Sequence, residues 1–86
     1  MYKSIKIYST TWCADCIRLK AFLESKNIPY ELFDIEKEPQ YVELVQKLNN
    51  GSNTVPTVVV TMQDDSEKVT AEPTNEQMAQ ILGISL

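Results

Sequence analysis

A strand, a helix and a second strand follow one another at the start of the chain, and this order restricts the possible folds more than any other feature. Residues 3–9 are rich in β-forming side chains, residues 14–25 are typical of a helix, and residues 30–35 form a second β-rich run. Because two strands joined through a helix run in the same direction, this order predicts a parallel pair with a right-handed crossover.

The rest of the chain predicts a helix, two strands and a last helix. Residues 39–48 favour a helix with Pro39 in its first turn, and the Asn49-Asn50-Gly51 segment ends it. Residues 57–61 are β-branched throughout, which is typical of a strand buried on both faces, and residues 67–70 favour a short edge strand. The predicted order is therefore β-α-β-α-β-β-α, an α/β fold in a single domain over residues 1–86.

Apolar spacing predicts which side of each helix faces the core. In the first helix the predicted inward face is Cys16, Leu19, Phe22 and Leu23; in the second it is Tyr41, Leu44, Val45 and Leu48; in the third it is Met78, Ile81 and Leu82. Thr74 and Gln77 have the spacing of a capping box at the start of the third helix, and Gly83 ends that helix.

The two cysteines of the chain, Cys13 and Cys16, stand where the first strand gives way to the first helix. Near a helix start, unpaired backbone N–H groups and the positive end of the helix dipole favour the thiolate form of Cys13. Cys16 lies one turn further on the same face, where it can close a disulfide with Cys13. This arrangement indicates thiol–disulfide chemistry. A buried cysteine pair, or half of a metal site shared between two chains, is the alternative.

Charged and aromatic neighbours of the cysteines allow two interpretations each. Trp12 either packs in the core or shapes a surface on which a disulfide substrate docks. Asp15 opposes a thiolate at Cys13 but interacts favourably with the helix dipole. Arg18 and Lys20 either offset Asp15 or are solvated charges on the helix face.

Composition excludes several functions. Twelve acidic and eight basic residues give a formal net charge of −4, which argues against a nucleic-acid partner. The absence of histidine excludes a Cys–His nucleophile and His-containing zinc sites within one chain, so we expect no metal site there. No secretory signal or membrane span is recognisable, and we expect a cytoplasmic, monomeric protein with no membrane partner. In a reducing cytoplasm, a cysteine pair is more suited to catalysis than to structure.

Three segments together resemble the glutaredoxins of the thioredoxin superfamily, and more narrowly the mycoredoxin-type proteins of actinobacteria. They are residues 8–16 with Trp-Cys-Ala-Asp-Cys, the Asn50-Gly51 turn, and Thr54-Val55-Pro56-Thr57. The resemblance implies a thioredoxin-like fold with a four-stranded mixed sheet flanked by three helices. It also implies Cys13 as the attacking thiolate, Cys16 as the resolving thiol, and a cis bond before Pro56. The substrate-binding positions carried over are Thr11, Trp12, Thr54, Val55, Pro56, Thr74 and Asn75.

The function implied by the resemblance is reduction of mixed disulfides between proteins and a low-molecular-weight thiol, which acts as co-substrate with no bound cofactor. Glutathione-using members commonly have a lysine where this chain has Thr10, and a Gly-Gly and an Asp in the stretch that here reads Ala71-Glu72-Pro73-Thr74-Asn75. Both departures weaken the case for glutathione and are compatible with mycothiol, which is the preferred co-substrate, with glutathione or bacillithiol as alternatives.

Two other functions remain open at this stage. The chain could carry electrons from a flavin-dependent thioredoxin reductase to an enzyme such as ribonucleotide reductase. Alternatively, Cys13 could ligate an iron–sulfur cluster between two subunits, with small thiols completing the coordination.

Overall fold

The computed structural model describes residues 2–85 and places four strands in one mixed sheet with helices on both faces. In chain order the elements are β1 (Tyr2–Ser9), α1 (Ala14–Ser25), β2 (Glu31–Asp34), α2 (Gln40–Leu48), β3 (Thr57–Met62), β4 (Glu67–Ala71) and α3 (Asn75–Leu82). The sheet order is β2-β1-β3-β4. β1 and β2 pair in parallel, and both the β1–β3 and the β3–β4 pairs are antiparallel. The predicted element order and fold class are confirmed.

Alternating side chains of the two central strands divide the core into two layers. Ile5 and Ile7 of β1 and Val58 and Val60 of β3 point to one face, where α1 and α3 pack. The helix residues buried in this layer are Leu19, Phe22, Leu23, Met78, Ala79 and Leu82. Because α1 and α3 share this face of the sheet, the start of α3 can reach the start of α1, where the cysteines lie.

The opposite face of the sheet carries α2 over a smaller core. Tyr8, Ile35, Val45 and Val59 are buried there. The prediction for α2 was wrong at Leu44, which is 36% exposed, while Val42 packs against the core instead. Leu44 directly precedes the fully buried Val45, so the two side chains point about 100° apart around the helix axis.

The helix ends follow local sequence signals. Thr74 caps α3 with the predicted capping box, because its hydroxyl accepts the N–H of Gln77 and the Gln77 side chain accepts the N–H of Thr74. Gly83 ends α3 in the left-handed conformation. α2 begins one residue later than predicted, with Pro39 as its N-cap in helical backbone geometry (φ −60°, ψ −18°).

β3 lies in the middle of the sheet and is buried on both faces, as its β-branched sequence predicts. β4 is the short, largely exposed edge strand. Across the described residues 2–85, no helix is long and apolar enough to cross a membrane.

Candidate active site

Cys13 is the N-cap residue of α1, immediately after the loop that leaves β1. Its backbone is extended (φ −80°, ψ 115°), and its Sγ accepts a hydrogen bond from the backbone N–H of Cys16 over 3.2 Å. The thiol sulfur therefore takes the place that a Ser or Asp oxygen usually takes at a helix start. The Cys16 N–H and the N-terminal end of α1 therefore both face the Cys13 sulfur.

The loop before β3 closes over the same sulfur. The Val55–Pro56 bond is cis, as the resemblance implied, and the thiol of Cys13 donates a long hydrogen bond to the Val55 carbonyl oxygen at 3.7 Å. The Val55 peptide therefore lies within hydrogen-bonding distance of the reactive sulfur. Cys13 is 7% exposed and lines a groove of about 410 Å³.

Cys16 is enclosed. It is 1% exposed, and burial, reinforced by a hydrogen bond with Cys13, raises the pKa of its thiol to about 12. Both cysteines are free thiols in this structure. Their environments differ in the way that separate attacking and resolving roles require, because Cys13 faces a groove and Cys16 faces the core.

A hydrogen-bonded threonine, Thr57, holds the 54–56 loop in place beside Cys13. Thr57 is fully buried at the start of β3, and its hydroxyl donates to the Thr54 carbonyl at 2.6 Å while accepting from the Asn49 side-chain amide at 2.7 Å. The end of α2, the loop at 54–56 and β3 are thereby joined through one hydroxyl. Sequence reasoning missed this role, because the β-branched strand pattern and the Thr54-Val55-Pro56-Thr57 segment do not indicate which groups the Thr57 hydroxyl contacts.

Arg18 ties the cysteine helix to the start of α3. Its guanidinium donates to the Asn75 Oδ1 at 2.5 Å and to the Pro73 carbonyl at 2.7 Å, and its Nε lies 3.8 Å from the Asp15 carboxylate. The interpretation of Arg18 as a simple solvated charge was therefore wrong. The i, i+3 spacing of Asp15 and Arg18 was the available signal, but the bridge to α3 depends on tertiary structure.

Two adjoining grooves contain most of the expected substrate-binding positions. The groove at Cys13 is also lined by Trp12, Thr54 and Val55, and a second groove of about 700 Å³ is lined by Thr74 and Asn75. Asp15 and Glu72 line both grooves, so the two grooves adjoin at these residues. Pro56 is the buried residue of the 54–56 loop. Thr11 is exposed and lines neither groove.

Two exposed apolar residues, here called the exposed apolar rim, are the direct sequence neighbours of the cysteines: Trp12 precedes Cys13 and Ile17 follows Cys16. Trp12 is 69% exposed and Ile17 is 54% exposed, so the interpretation of Trp12 as a core residue was wrong. Exposed aromatic side chains of this size are suited to contacts with another molecule. Among the described residues 2–85, no three His, Cys, Asp or Glu side chains lie together in a way that could hold a metal ion.

A thioredoxin-like fold with a Cys-x-x-Cys pair capping the first helix, opposite a cis-proline loop, defines the class of small thiol–disulfide proteins. Solved structures agree with this class. A variant of the thioredoxin-like protein BC3987 superposes with a TM-score of 0.77 and 29% identity over 96% of this chain and 99% of that one. A glutaredoxin from Archaeoglobus fulgidus has the same fold, with a TM-score of 0.74 over 95% of this chain and 87% of that one at 22% identity.

Within that class, the chain belongs to the glutaredoxin family, whose model matches residues 5–63. A Mycobacterium tuberculosis protein named "Putative glutaredoxin" is 44% identical over 55 residues, which cover 64% of this chain and 66% of that protein. Mycoredoxin 1 of Corynebacterium glutamicum is 34% identical over 55 residues, covering 64% of this chain and 67% of its own length. The chain thus matches slightly less than two thirds of the mycobacterial relative. Glutaredoxins are thiol–disulfide oxidoreductases.

Proposed function

We propose that this protein is a thiol–disulfide oxidoreductase that reduces mixed disulfides between proteins and a low-molecular-weight thiol. The observation that carries the proposal is the position of Cys13 Sγ, which accepts the Cys16 N–H at 3.2 Å and opens into a groove below Val55. Family membership and the similarity to mycoredoxin 1 support the same activity.

The reaction proceeds by two thiol–disulfide exchanges. The Cys13 thiolate attacks the small-thiol sulfur of the mixed disulfide, the target protein leaves as its thiolate, and the small thiol becomes disulfide-bonded to Cys13. A second small-thiol thiolate then attacks the sulfur of the bound small thiol. This step releases the symmetrical small-thiol disulfide and restores the Cys13 thiolate. A disulfide reductase outside this chain reduces the released product.

Reduction of a disulfide between two protein cysteines has a different second step. After Cys13 links to one target sulfur, Cys16 loses its proton and attacks Cys13, so the target leaves reduced and a Cys13–Cys16 disulfide forms. The raised pKa of Cys16 keeps its thiol protonated in the reduced protein. Two small-thiol molecules, or a reductase, then reduce the internal disulfide.

The Val55 peptide positions the substrate in this scheme. In the reduced protein the Val55 carbonyl accepts the Cys13 thiol, and loss of that proton leaves the oxygen available to a substrate N–H. Trp12, Thr54, Thr74 and Asn75 line the grooves around this point and are the proposed contacts for the rest of the substrate.

Mycothiol is the proposed co-substrate. Its support is the similarity to mycoredoxin 1 and the absence of the lysine that glutathione-using members carry, since the position is occupied by a buried Thr10. We propose that the protein acts as a monomer in the cytoplasm, a reducing compartment in which a cysteine pair used as a reductant can return to its dithiol form.

The test compares mycothiol, bacillithiol and glutathione as reductants of the same thiolated protein, each coupled to its own disulfide reductase. We expect turnover with mycothiol, none with Cys13→Ser, and retained removal of the small thiol with Cys16→Ser. Loss of both activities in Cys16→Ser, with mycothiol supplied, contradicts the first exchange route.

The exposed apolar rim favours a second candidate, a protein electron carrier that receives electrons directly from a thioredoxin reductase. Trp12 and Ile17 provide the contact surface that such a protein–protein exchange needs. The candidate predicts sustained disulfide reduction with purified thioredoxin reductase and NADPH in the absence of any small thiol. The mixed-disulfide function predicts no turnover under those conditions.

A further inference from the structure

The two grooves beside Cys13 are lined by more negative than positive groups. Asp15 and Glu72 line both grooves, and Glu76 at the start of α3 lines the larger one. Among the described residues, Arg18 is the one cation that lines either groove. A molecule whose sulfur reaches Cys13 through these grooves therefore passes three carboxylates and one guanidinium.

The guanidinium is already engaged by the protein. Its two terminal nitrogens donate to Asn75 and to the Pro73 carbonyl, and its Nε faces Asp15 at 3.8 Å. Both terminal nitrogens of Arg18 thus have protein acceptors, and the charge of Asp15, 3.8 Å from Nε, partly cancels that of the guanidinium. Arg18 is consequently a weak receptor for a carboxylate on an incoming thiol.

Other cations near the cysteines do not change this balance. Lys20 lowers the pKa of Cys16 through its charge, but it lines neither groove. Thr10 lies where a lysine would face a carboxylate in glutathione-using relatives. It is 6% exposed, and its hydroxyl has no hydrogen-bond partner among the described residues, so it offers no charge to a ligand.

Glu72 occupies a backbone conformation that glycine adopts at lower cost. Its φ is +49°, and its N–H donates to the Pro56 carbonyl at 2.8 Å, which fixes the residue beside the loop that covers Cys13. A glycine here would keep the backbone and remove the charge. The chain instead carries a carboxylate at the junction of the two grooves.

We infer that Asp15, Glu72 and Glu76 are specificity-determining residues that exclude small thiols bearing carboxylates and favour an uncharged, hydroxyl-rich thiol. This inference rests on the proposed function, since it concerns the small thiol that reacts at Cys13. Glutathione has two carboxylates and one ammonium group, so it enters this site against net repulsion. A neutral thiol glycoside meets no such repulsion and finds carboxylates that accept hydrogen bonds from its hydroxyls.

The test measures kcat/KM for three reductants of one thiolated protein: mycothiol, glutathione, and the diethyl ester of glutathione, which lacks both carboxylates. With the wild-type protein we expect the ester to exceed glutathione by about threefold or more at low salt. Because salt screens repulsion, the glutathione value rises with ionic strength, whereas the mycothiol value stays nearly constant.

Variants assign the effect to the carboxylates. Glu72→Gln with Glu76→Gln raises kcat/KM for glutathione by about threefold to tenfold. The same change does not raise the value for the ester, because the ester keeps only the ammonium group, which the carboxylates attract. Glu72→Gly keeps the φ and gives a smaller rise for glutathione. Glu43→Gln, on the opposite side of the sheet, is the matched control and changes none of the values. The same unfolding midpoint in each variant excludes an effect through folding.

Equal rates with glutathione and its ester, no salt dependence, or no rise in the double variant overturns the inference while leaving the oxidoreductase function standing. A glutathione rate that falls with added salt also overturns it, because Arg18 then acts as a carboxylate receptor. No turnover with any of the three thiols refutes the proposed function itself.

Discussion

The backbone N–H of Cys16 lies 3.2 Å from the sulfur of Cys13 and donates a hydrogen bond to it. This contact uses the peptide of Cys16 and not its side chain. Replacing the Cys16 thiol removes its side-chain hydrogen bond with Cys13 but leaves this peptide contact to the Cys13 sulfur in place, so the two functions of the motif can be separated by mutation.

Cys16→Ser is expected to keep at least about half of the rate of small-thiol removal and to lose reduction of intramolecular protein disulfides. The physical reason is that attack needs only Cys13, while release of a target from a protein–protein disulfide needs a second thiol. Parallel assays with a thiolated protein and with a disulfide-bonded protein measure the two rates. Cys13→Ser is the matched control and loses both.

The buried thiol of Cys16 predicts a pH dependence of stability. Its pKa is about 12 in the folded protein against an ordinary value of 9.0, so the folded state binds this proton more tightly than the unfolded state. The contribution to the free energy of unfolding is complete below about pH 9 and is lost as the pH rises from 9 towards 12. Urea unfolding of the wild type and Cys16→Ala at intervals from neutral pH upward measures it.

The difference in the free energy of unfolding between the wild type and Cys16→Ala is expected to narrow above pH 9, because ionisation of the buried Cys16 thiol then favours the unfolded wild-type protein. A constant difference across that range contradicts the burial of Cys16.

In the same reduced protein, carbamidomethylation at about pH 8 followed by peptide mass spectrometry should label Cys13 and spare Cys16.

Arg18 connects α1 to the start of α3, and Arg18→Gln is expected to lower the free energy of unfolding by about 1–2 kcal/mol through loss of the hydrogen bonds to Asn75 and Pro73. The side chain is about a third exposed, so water replaces part of the loss. Lys47→Gln removes one side of an exposed pair with Glu43 and should change stability by less than about 0.5 kcal/mol. Chemical denaturation of both variants decides the matter, and equal effects would show that the Arg18 bridge contributes nothing specific.

Thr57→Val keeps the shape of a fully buried side chain and removes its hydroxyl from Thr54 and Asn49. We expect a loss of about 1–3 kcal/mol, since the Asn49 amide and the Thr54 carbonyl lose their partner. The variant should also lower kcat/KM, because the 54–56 loop that covers Cys13 is no longer fixed from below. Thr70→Val on the edge strand is the control. If Thr57→Val is as active as Thr70→Val, the position of the 54–56 loop does not affect catalysis.

Trp12→Ala tests the exposed rim. With 69% of its surface already in solvent, the side chain contributes little to folding, so stability should change by less than about 1 kcal/mol. KM for a protein disulfide should rise, while that for a small synthetic disulfide should not. An equal rise in KM for both substrates would show that Trp12 contacts the small thiol and not the protein substrate.

Local signals accounted for most of the fold. The bounds of α1, the capping box at Thr74 and the left-handed Gly83 follow from contacts within a few residues of each other, and such contacts can be read from sequence. The buried β3 strand was equally clear, because a β-branched run of that length has few other stable positions.

The parts that sequence missed depend on contacts between distant segments. Arg18 reaches Asn75 across 57 positions, and Glu72 takes its place beside the cysteines only because β4 returns along β3. Leu44 has the right spacing for a buried residue, but the narrow core beneath α2 leaves it at the surface. The exposure of Trp12 is likewise set by the turn at 11–12 and not by the hydrophobicity of the side chain.

The most direct measurement of the central claim is mass spectrometry of Cys16→Ser after reaction with a mycothiolated protein in the absence of free thiol. The account predicts one mycothiol disulfide-bonded to Cys13, with the target protein released as a free thiol in equal amount. An unmodified Cys13 beside an unchanged target, or a stable disulfide between Cys13 and the target protein, would contradict it.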